Sequence, residues 1–491
     1  MRANSRALVP LALAQFICSF AGSNMNVMIS DISHDLNTTV AGVQLSITLF
    51  LLVMAALMIP GGKLTDKFGR KRLFQLGLIV YGVGALACAV APGLGVLVLG
   101  NSILEGVGTA LLIPPVYILA TLYFTDLTSR ARAFGMISAM AGVGAAAGPL
   151  IGGLITSAIS WRAAFVFQAL VIVVIVVLSR RLTDPLPAQP DRAFDVRGTV
   201  LSAVGLILIV SGILLASKKA WLMLLMIAAG IVVLWFFFRH VRTTEAAGKE
   251  PLLSMRLFGS RVANLGMITQ NLQWLVLMGT SFVVAAFLQV VRGYDAIQTG
   301  LIFTAATVGI LGTSLLAERL AKRWPQRTLI ETGFFVTVVG VCALLLIVAW
   351  STGGAPALLP GLFIIGVGIG LMITPSVNIV QSAFGEKLQG EISGLSRSVS
   401  NLGSSLGTAV AGTVIVAGIT RTPERSYALA MLVLAIAALG GLLIAERLPK
   451  AQPSGGPAAD GTSTTPDGGA DATQTEVLEI DEQQNGKRLE G

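Results

Sequence analysis

Hydrophobic residues run along this chain in blocks of about twenty, separated by short stretches where charge, glycine and proline collect. At 1.5 Å per residue, about twenty helical residues cross a hydrocarbon layer of ~30 Å, so each block predicts one membrane-spanning helix. Backbone amides in hydrocarbon have no water to bond, and these runs lack the short alternating strands of a barrel. The blocks fall at 8–29, 43–61, 73–92, 94–118, 133–158, 162–179, 198–216, 220–238, 263–290, 296–317, 328–350, 357–383, 391–419 and 426–446. The pattern therefore predicts an all-α polytopic membrane protein with fourteen spans.

Composition agrees with the pattern. Hydrophobic residues make up 54% of the 491 positions and charged residues 12%, half of the ~25% usual in soluble domains. Water is not the main solvent of such a chain. The formal charge of +9 sits in loops rather than in a stripe that would fit nucleic acid, so no nucleic-acid partner is expected. Placing the N-terminus in the cytoplasm puts 27 basic residues on the inner side and six on the outer: Arg162, Lys218, Lys219, Arg292, Arg421 and Arg425. That bias sets the expected orientation, with both termini cytoplasmic in an inner or plasma membrane. Arg2 and Arg6 precede an apolar run as in a signal peptide, but no small-residue cleavage pattern follows, and the run reads as an uncleaved first span. Cys18, Cys88 and Cys342 lie apart inside apolar runs, which points to packing and not to a disulfide framework.

The chain divides into four parts on this reading: 1–179 as a six-helix bundle, 180–262 as two further spans and a basic inner linker, 263–446 as a second six-helix bundle, and 447–491 as a tail. The linker is partly amphipathic and is expected near anionic headgroups. The tail is rich in Gly, Ser, Thr, Pro and acids and cannot bury enough apolar area to offset its ordering entropy, so it is expected to be disordered. The two bundles look duplicated. GVGTALLIPP (106–115) aligns without gaps to GVGIGLMITP (366–375), and GKLTDKFGRKR (62–72) parallels SLLAERLAKRW (314–324), pairing Asp66 with Glu318. Two parallel six-helix repeats about a central cavity are a design of alternating-access transporters.

Particular residues carry a family resemblance. Gly62, Asp66, Gly69, Arg70 and Arg72, between spans two and three, resemble the signature loop of the major facilitator superfamily. Gly144, Gly148, Pro149, Gly152 and Gly153 resemble the fifth-span motif of its antiporters, and Trp161-Arg162, PLLSMRLF (251–258) and FLQVVRGYDAIQTG (287–300) add to the likeness. With fourteen spans, residues 8–446 resemble the 14-span drug:proton antiporter branch. The resemblance implies the major facilitator fold, proton-coupled multidrug efflux of amphipathic small molecules, no enzymatic activity, no metal and no cofactor. Its partners would be the lipid bilayer, a small-molecule substrate and protons, and the chain would act as a monomer. Uniport, import, lipid carriage or a non-transporting sensor are the alternatives. Two departures bear on coupling. Ala21 occupies the first-span position usually held by an acid, and in span four Ser102 and Glu105 stand where Arg and Gln are usual.

Each motif also has a physical reading. Gly62 and Gly69 suit tight turning, and Asp66 can accept from helix-end amides or from Arg70, making either a latch on the inner side or a basic anchor. Gly144, Gly148 and Gly152 recur every four residues as a smooth stripe beside Pro149. The stripe serves either close packing or a sliding contact between the bundles, and Gly403 and Gly407 repeat the spacing in span thirteen. Glu105 lies near the middle of span four, where a carboxylate is costly, with Asn101 one turn before it. Glu105 is the candidate proton or substrate site. Asn24 with Asn26, and Gln270 with Asn271 and Trp274, are candidate cavity-lining groups. Arg397, inside span thirteen, is expected to snorkel toward the inner surface or to meet an internal partner such as Glu105. Asp31 and Asp35 read as solvated acids near the outer mouth.

Overall fold

A computed structural model describes residues 2–449 except 125–126, 192, 217–218, 321–322, 351–353, 386–387 and 419–422. The expected tail from 450 onward and the side chains of Glu318 and Lys322 lie outside the described residues. Among those described the chain is helical without strands. Fourteen helices are long and apolar enough to cross a membrane: α1 (Ala7–Asp35), α2 (Val40–Phe68), α3 (Arg70–Ala89), α4 (Leu94–Tyr123), α5 (Arg132–Ala158), α6 (Trp161–Ser179), α7 (Val196–Leu214), α8 (Ala220–Ala246), α9 (Arg261–Val291), α10 (Ala296–Ser314), α11 (Gln326–Ala349), α12 (Leu358–Gln381), α13 (Glu391–Ala417) and α14 (Glu424–Ala445). Below, the end bearing the basic loops is the basic end, and the other is the far end.

Several spans outrun their hydrophobic blocks. The largest difference is α2, which continues as helix through the segment expected as a loop and stops only at Phe68. The turn to α3 is Gly69 alone, at φ +93°, a backbone angle that a side chain would strain. Gly62 therefore does not serve a turn; it lies inside α2, with the Pro114 side chain as its near neighbour. A polar helix end of this kind projects past the hydrocarbon into water, where hydropathy no longer reports helix.

Packing repeats between the two sets of six. Gly106 of α4 abuts Val53 and Phe50 of α2, while Gly366 of α12 abuts Ala306 of α10. Gly108 faces Tyr81 of α3, and Gly368 faces Gly333 and Thr337 of α11. The aligned glycines thus admit equivalent helices to backbone contact in each half, as small residues do in membranes. Gly144 and Gly148 likewise bring α5 onto Phe16, Phe20 and Ser23 of α1, and Gly403 and Gly407 bring α13 onto Asn271 and Leu275 of α9.

The additional helices α7 and α8 pack on each other through Gly205 and Gly230. They rest against the α2–α13 seam, where Val210 joins Leu52 and Ala409 in a small apolar cluster and Thr413 Oγ1 donates to the Ile213 carbonyl at 3.1 Å.

Candidate functional site

Span α4 is not a regular helix at the position of its acid. Val98–Glu105 forms a π-helical stretch, an irregularity that often re-aims side chains at functional positions. Here it places Asn101, Ser102 and Glu105 fully inside the protein. Ser102 Oγ donates to the Ser46 carbonyl at 2.9 Å and lies 3.2 Å from Ser46 Oγ, which binds Asn101 Oδ1 at 3.2 Å. Asn101 Nδ2 donates to Glu105 Oε2 at 3.1 Å, while Oε1 has no partner among the described residues. Cys18, Tyr81 and Cys88 are within electrostatic reach of the carboxylate, and Tyr81 donates to Gln168 of α6. These neighbours belong to α1, α2, α3 and α6, so Glu105 is sealed inside the first set of six helices. Ala21, at the usual acid position, is buried and apolar.

The signature segment is built around a residue that sequence reading missed. Asp184, in the stretch of chain after α6, accepts from the Arg70 and Lys71 backbone amides at 2.6 and 3.3 Å and so caps the N-terminus of α3. Asp66 pairs with Arg70 Nη2 at 3.1 Å, and Arg70 Nη1 donates to the Pro187 carbonyl at 3.3 Å. Arg72 is exposed. The 184–187 segment thereby clasps the α2–α3 turn within the first half. The bond between halves at this end comes one turn earlier: Lys63 Nζ meets Glu391 Oε1 of α13 at 2.7 Å, and Glu391 Oε2 accepts from the Ser254 amide of the linker at 3.3 Å. Glu391 opens an apolar block and carries no motif, so its role had no signal in the sequence.

Polar contacts join the halves along their length. Arg397 is half-buried and takes an internal partner, one of the two arrangements expected, but that partner is not Glu105. Its guanidinium donates to Tyr117 Oη of α4 and lies over the ring, 4.8 Å from the centroid. Tyr117 in turn donates to Gln15 of α1 at 3.3 Å. Ser398 donates to the Ala55 carbonyl, Ser405 to Thr48 O at 3.0 Å, and Gln44 Nε2 to Thr408 O and Ala409 O at 3.2 and 3.1 Å. At the far end α1 is interrupted by a 3-10 turn, Met25–Met28. Gln289 of α9 bridges that interruption, donating to Asn26 O at 2.7 Å and accepting from Ser30 N at 3.0 Å. Gln289 sits in the quoted FLQVVRG segment, but its neighbour across the halves was not legible from it.

The remaining candidates divide between packing and the seam. Asn24 is buried against Gly152 with its amide unpartnered among the described residues. Gln270 accepts from Ser396 Oγ at 2.9 Å and Asn271 donates to Val399 O at 2.9 Å, which ties α9 to α13 inside the second half; Trp274 is partly buried on the same helix. Of the two readings of the fifth-span stripe, close packing describes its three glycines. Gly144, Gly148 and Gly152 face α1, whereas Gly153 abuts Ala296 and the Pro149 backbone abuts Gly300, so the contact between halves lies on the adjacent face. Asp35 is exposed, as expected of a solvated acid, and it also accepts from Trp161 Nε1 at 2.9 Å and pairs with Arg162.

Comparison with known proteins agrees with this architecture. The family model for the Major Facilitator Superfamily matches residues 11–215 and 196–408. The puromycin resistance protein pur8 of Streptomyces alboniger is 31% identical over 412 residues, 83% of this chain and 81% of the relative. The cephamycin export protein CmcT of Amycolatopsis lactamdurans is 29% identical, covering 89% and 92%, and the multidrug resistance protein Stp of Mycobacterium tuberculosis (strain CDC 1551 / Oshkosh) is 25% identical, covering 85% and 77%. A crystal structure of the peptide transporter POT in complex with alafosfalin superposes with a TM-score of 0.66 at 16% identity, over 90% of this chain and 95% of the other, a likeness of fold. With its repeated halves, fourteen spans and family match, the chain belongs to the major facilitator superfamily, whose members are membrane transporters and not enzymes.

Proposed function

We propose that this chain exports amphipathic small molecules, drugs or antibiotics, in exchange for protons, by alternating access across the cytoplasmic membrane with both termini inside. Export is supported by the relatives, which are named for antibiotic resistance and export. Coupling rests on Glu105. Among the described residues it is the carboxylate lying more than two turns from either end of its span, sealed from water and from the second half, with one oxygen unbonded. Loss of a proton from so dry a site requires water to arrive when the first half changes shape. That ties protonation to conformation without contact between Glu105 and substrate. Alternation is supported by separate cross-half bonds at the two ends, Lys63–Glu391 at the basic end and Asn26–Gln289 at the far end, which can break independently.

The test uses everted vesicles carrying the full chain and a probe panel that starts with puromycin. Accumulation driven by an imposed proton gradient is expected in wild type. In Glu105→Gln it should fall to the gradient-free level, while exchange of labelled for unlabelled probe persists. Gradient-driven accumulation in that variant would remove Glu105 from the mechanism, and gradient-independent exchange without accumulation in wild type would favour the uncoupled reading that the apolar Ala21 recommends.

A further inference from the structure

The protein carries a groove on its lipid-facing side that the transport reading does not use. It has a volume of about 520 Å³ and is lined by Trp235, Phe238, Arg239, Arg242 and Thr243 of α8. Positions 235, 239 and 242 recur at helical spacing, so one face of α8 presents an indole followed by two guanidinium groups. The Phe238 ring meets Phe258 of the linker turn Met255–Phe258 edge-on at 5.5 Å.

The groove has a definite depth. Trp221 and Trp235 are 63% and 55% exposed, and fourteen helical residues separate them by ~21 Å. Counted from an interfacial Trp221, a hydrocarbon layer of ~30 Å runs past Trp235 and ends near Arg242, ~32 Å along the axis. Arg239 lies ~6 Å beyond Trp235 along the axis and Arg242 ~10 Å beyond it, where hydrocarbon gives way to headgroups and not in bulk water.

Charge in the groove is unbalanced. The nearby acids are engaged elsewhere: Asp195 accepts from Gly198 N, Leu252 N and His240, and Glu245 from Ser254 Oγ and Met255 N. Among the described residues no carboxylate pairs with Arg239 or Arg242; Arg239 lies 5.7 Å from the centroid of the Trp235 ring. Two solvated arginines would satisfy the charge bias of this end without an aromatic wall or a hollow. An aromatic wall, two arginines about one helical turn apart without a carboxylate partner, and an apolar run at Ile231 and Trp235 leading into the hydrocarbon match one ligand: a phosphodiester attached to acyl chains.

We propose that this groove binds an anionic glycerophospholipid, with Arg239 and Arg242 on the phosphate and the acyl chains along Trp235 and Ile231. The site lies where α8 meets the linker whose Ser254 amide holds Glu391, so the lipid would sit beside the basic-end bond between the halves.

The test reads Trp235 directly. Full-length protein is reconstituted in dioleoylphosphatidylcholine vesicles with rising fractions of dibrominated phosphatidylglycerol or dibrominated phosphatidylcholine, and emission from Trp235→Phe is subtracted from that of wild type. Half-quenching of the Trp235 signal is expected at a mole fraction about fivefold lower for the brominated anionic lipid than for the brominated zwitterionic one. In Arg239→Gln/Arg242→Gln the two curves should coincide. Coincident curves in wild type would overturn the site even if the double variant failed to fold, and so would a preference that survives the double substitution.

Discussion

Removing the Lys63 ammonium should loosen the basic end by a calculable amount. Lys63 Nζ and Glu391 Oε1 are 2.7 Å apart, with side chains 17% and 26% exposed. At an effective dielectric of ~20 the bare attraction is roughly 6 kcal/mol. Desolvation of both groups, ordering of two long side chains and screening through the exposed fraction reduce the net worth of such pairs to about 1 kcal/mol. Lys63→Ala should therefore shift the equilibrium toward the form open at this end by about fivefold. Glu391→Gln should do the same, because its amide oxygen can still accept from the Ser254 N–H while the ion pair is lost. The double variant should go no further than either single change, since both remove one interaction. Double electron–electron resonance between spin labels at exposed Phe68 and Trp324, in a background with Cys18, Cys88 and Cys342 replaced by Ala, reads the open fraction. Unchanged distance distributions in the singles, or effects that add in the double, would refute the assignment of this pair as a bond that holds the halves together.

Three further outcomes follow from the same geometry. Gly69→Ala places a side chain at φ +93° and should cost about 1–3 kcal/mol, whereas Gly62→Ala, with Pro114 at ordinary contact distance, should leave thermal stability in detergent nearly unchanged; equal losses would contradict the position of the turn. Gln289→Leu removes both bonds to the α1 interruption, so maleimide labelling of a cysteine introduced at Asn26 from the far side should accelerate several-fold, and wild-type-like labelling would deny Gln289 a role in closing that end. Burial pushes the Asp195 carboxyl upward, but hydrogen bonds from Gly198, His240 and Leu252 outweigh it and hold the group below the usual carboxylate range. Its stabilising contribution is thus full above the unfolded value near pH 4 and is lost as pH falls through the folded one, so Asp195→Asn should flatten the acid limb of a melting-temperature profile; an unchanged limb would show that other groups set it.

The fourteen spans and the duplication were legible in the sequence for a simple reason. A membrane demands that every crossing segment satisfy its own backbone and present apolar side chains, so the constraint is local and appears as block length. Backbone contact between helices demands glycine, and the aligned pairs Gly106 with Gly366 and Gly108 with Gly368 carry that demand as matching residues in both halves. Glu105 stood out because an acid deep in a hydrophobic block is costly wherever it faces.

Direction and partnership were decided by the tertiary structure. The fifth-span glycines faced α1 rather than the other half because a four-residue spacing defines a stripe without saying which neighbour it meets. Asp184 took the end of α3 while Asp66 paired with Arg70, and Arg397 met Tyr117 rather than Glu105, because residues separated by 114 and 280 positions are brought together only by the packing of whole helices. The membrane writes each crossing into the chain one segment at a time, but what a side chain touches depends on how all fourteen segments are arranged around it.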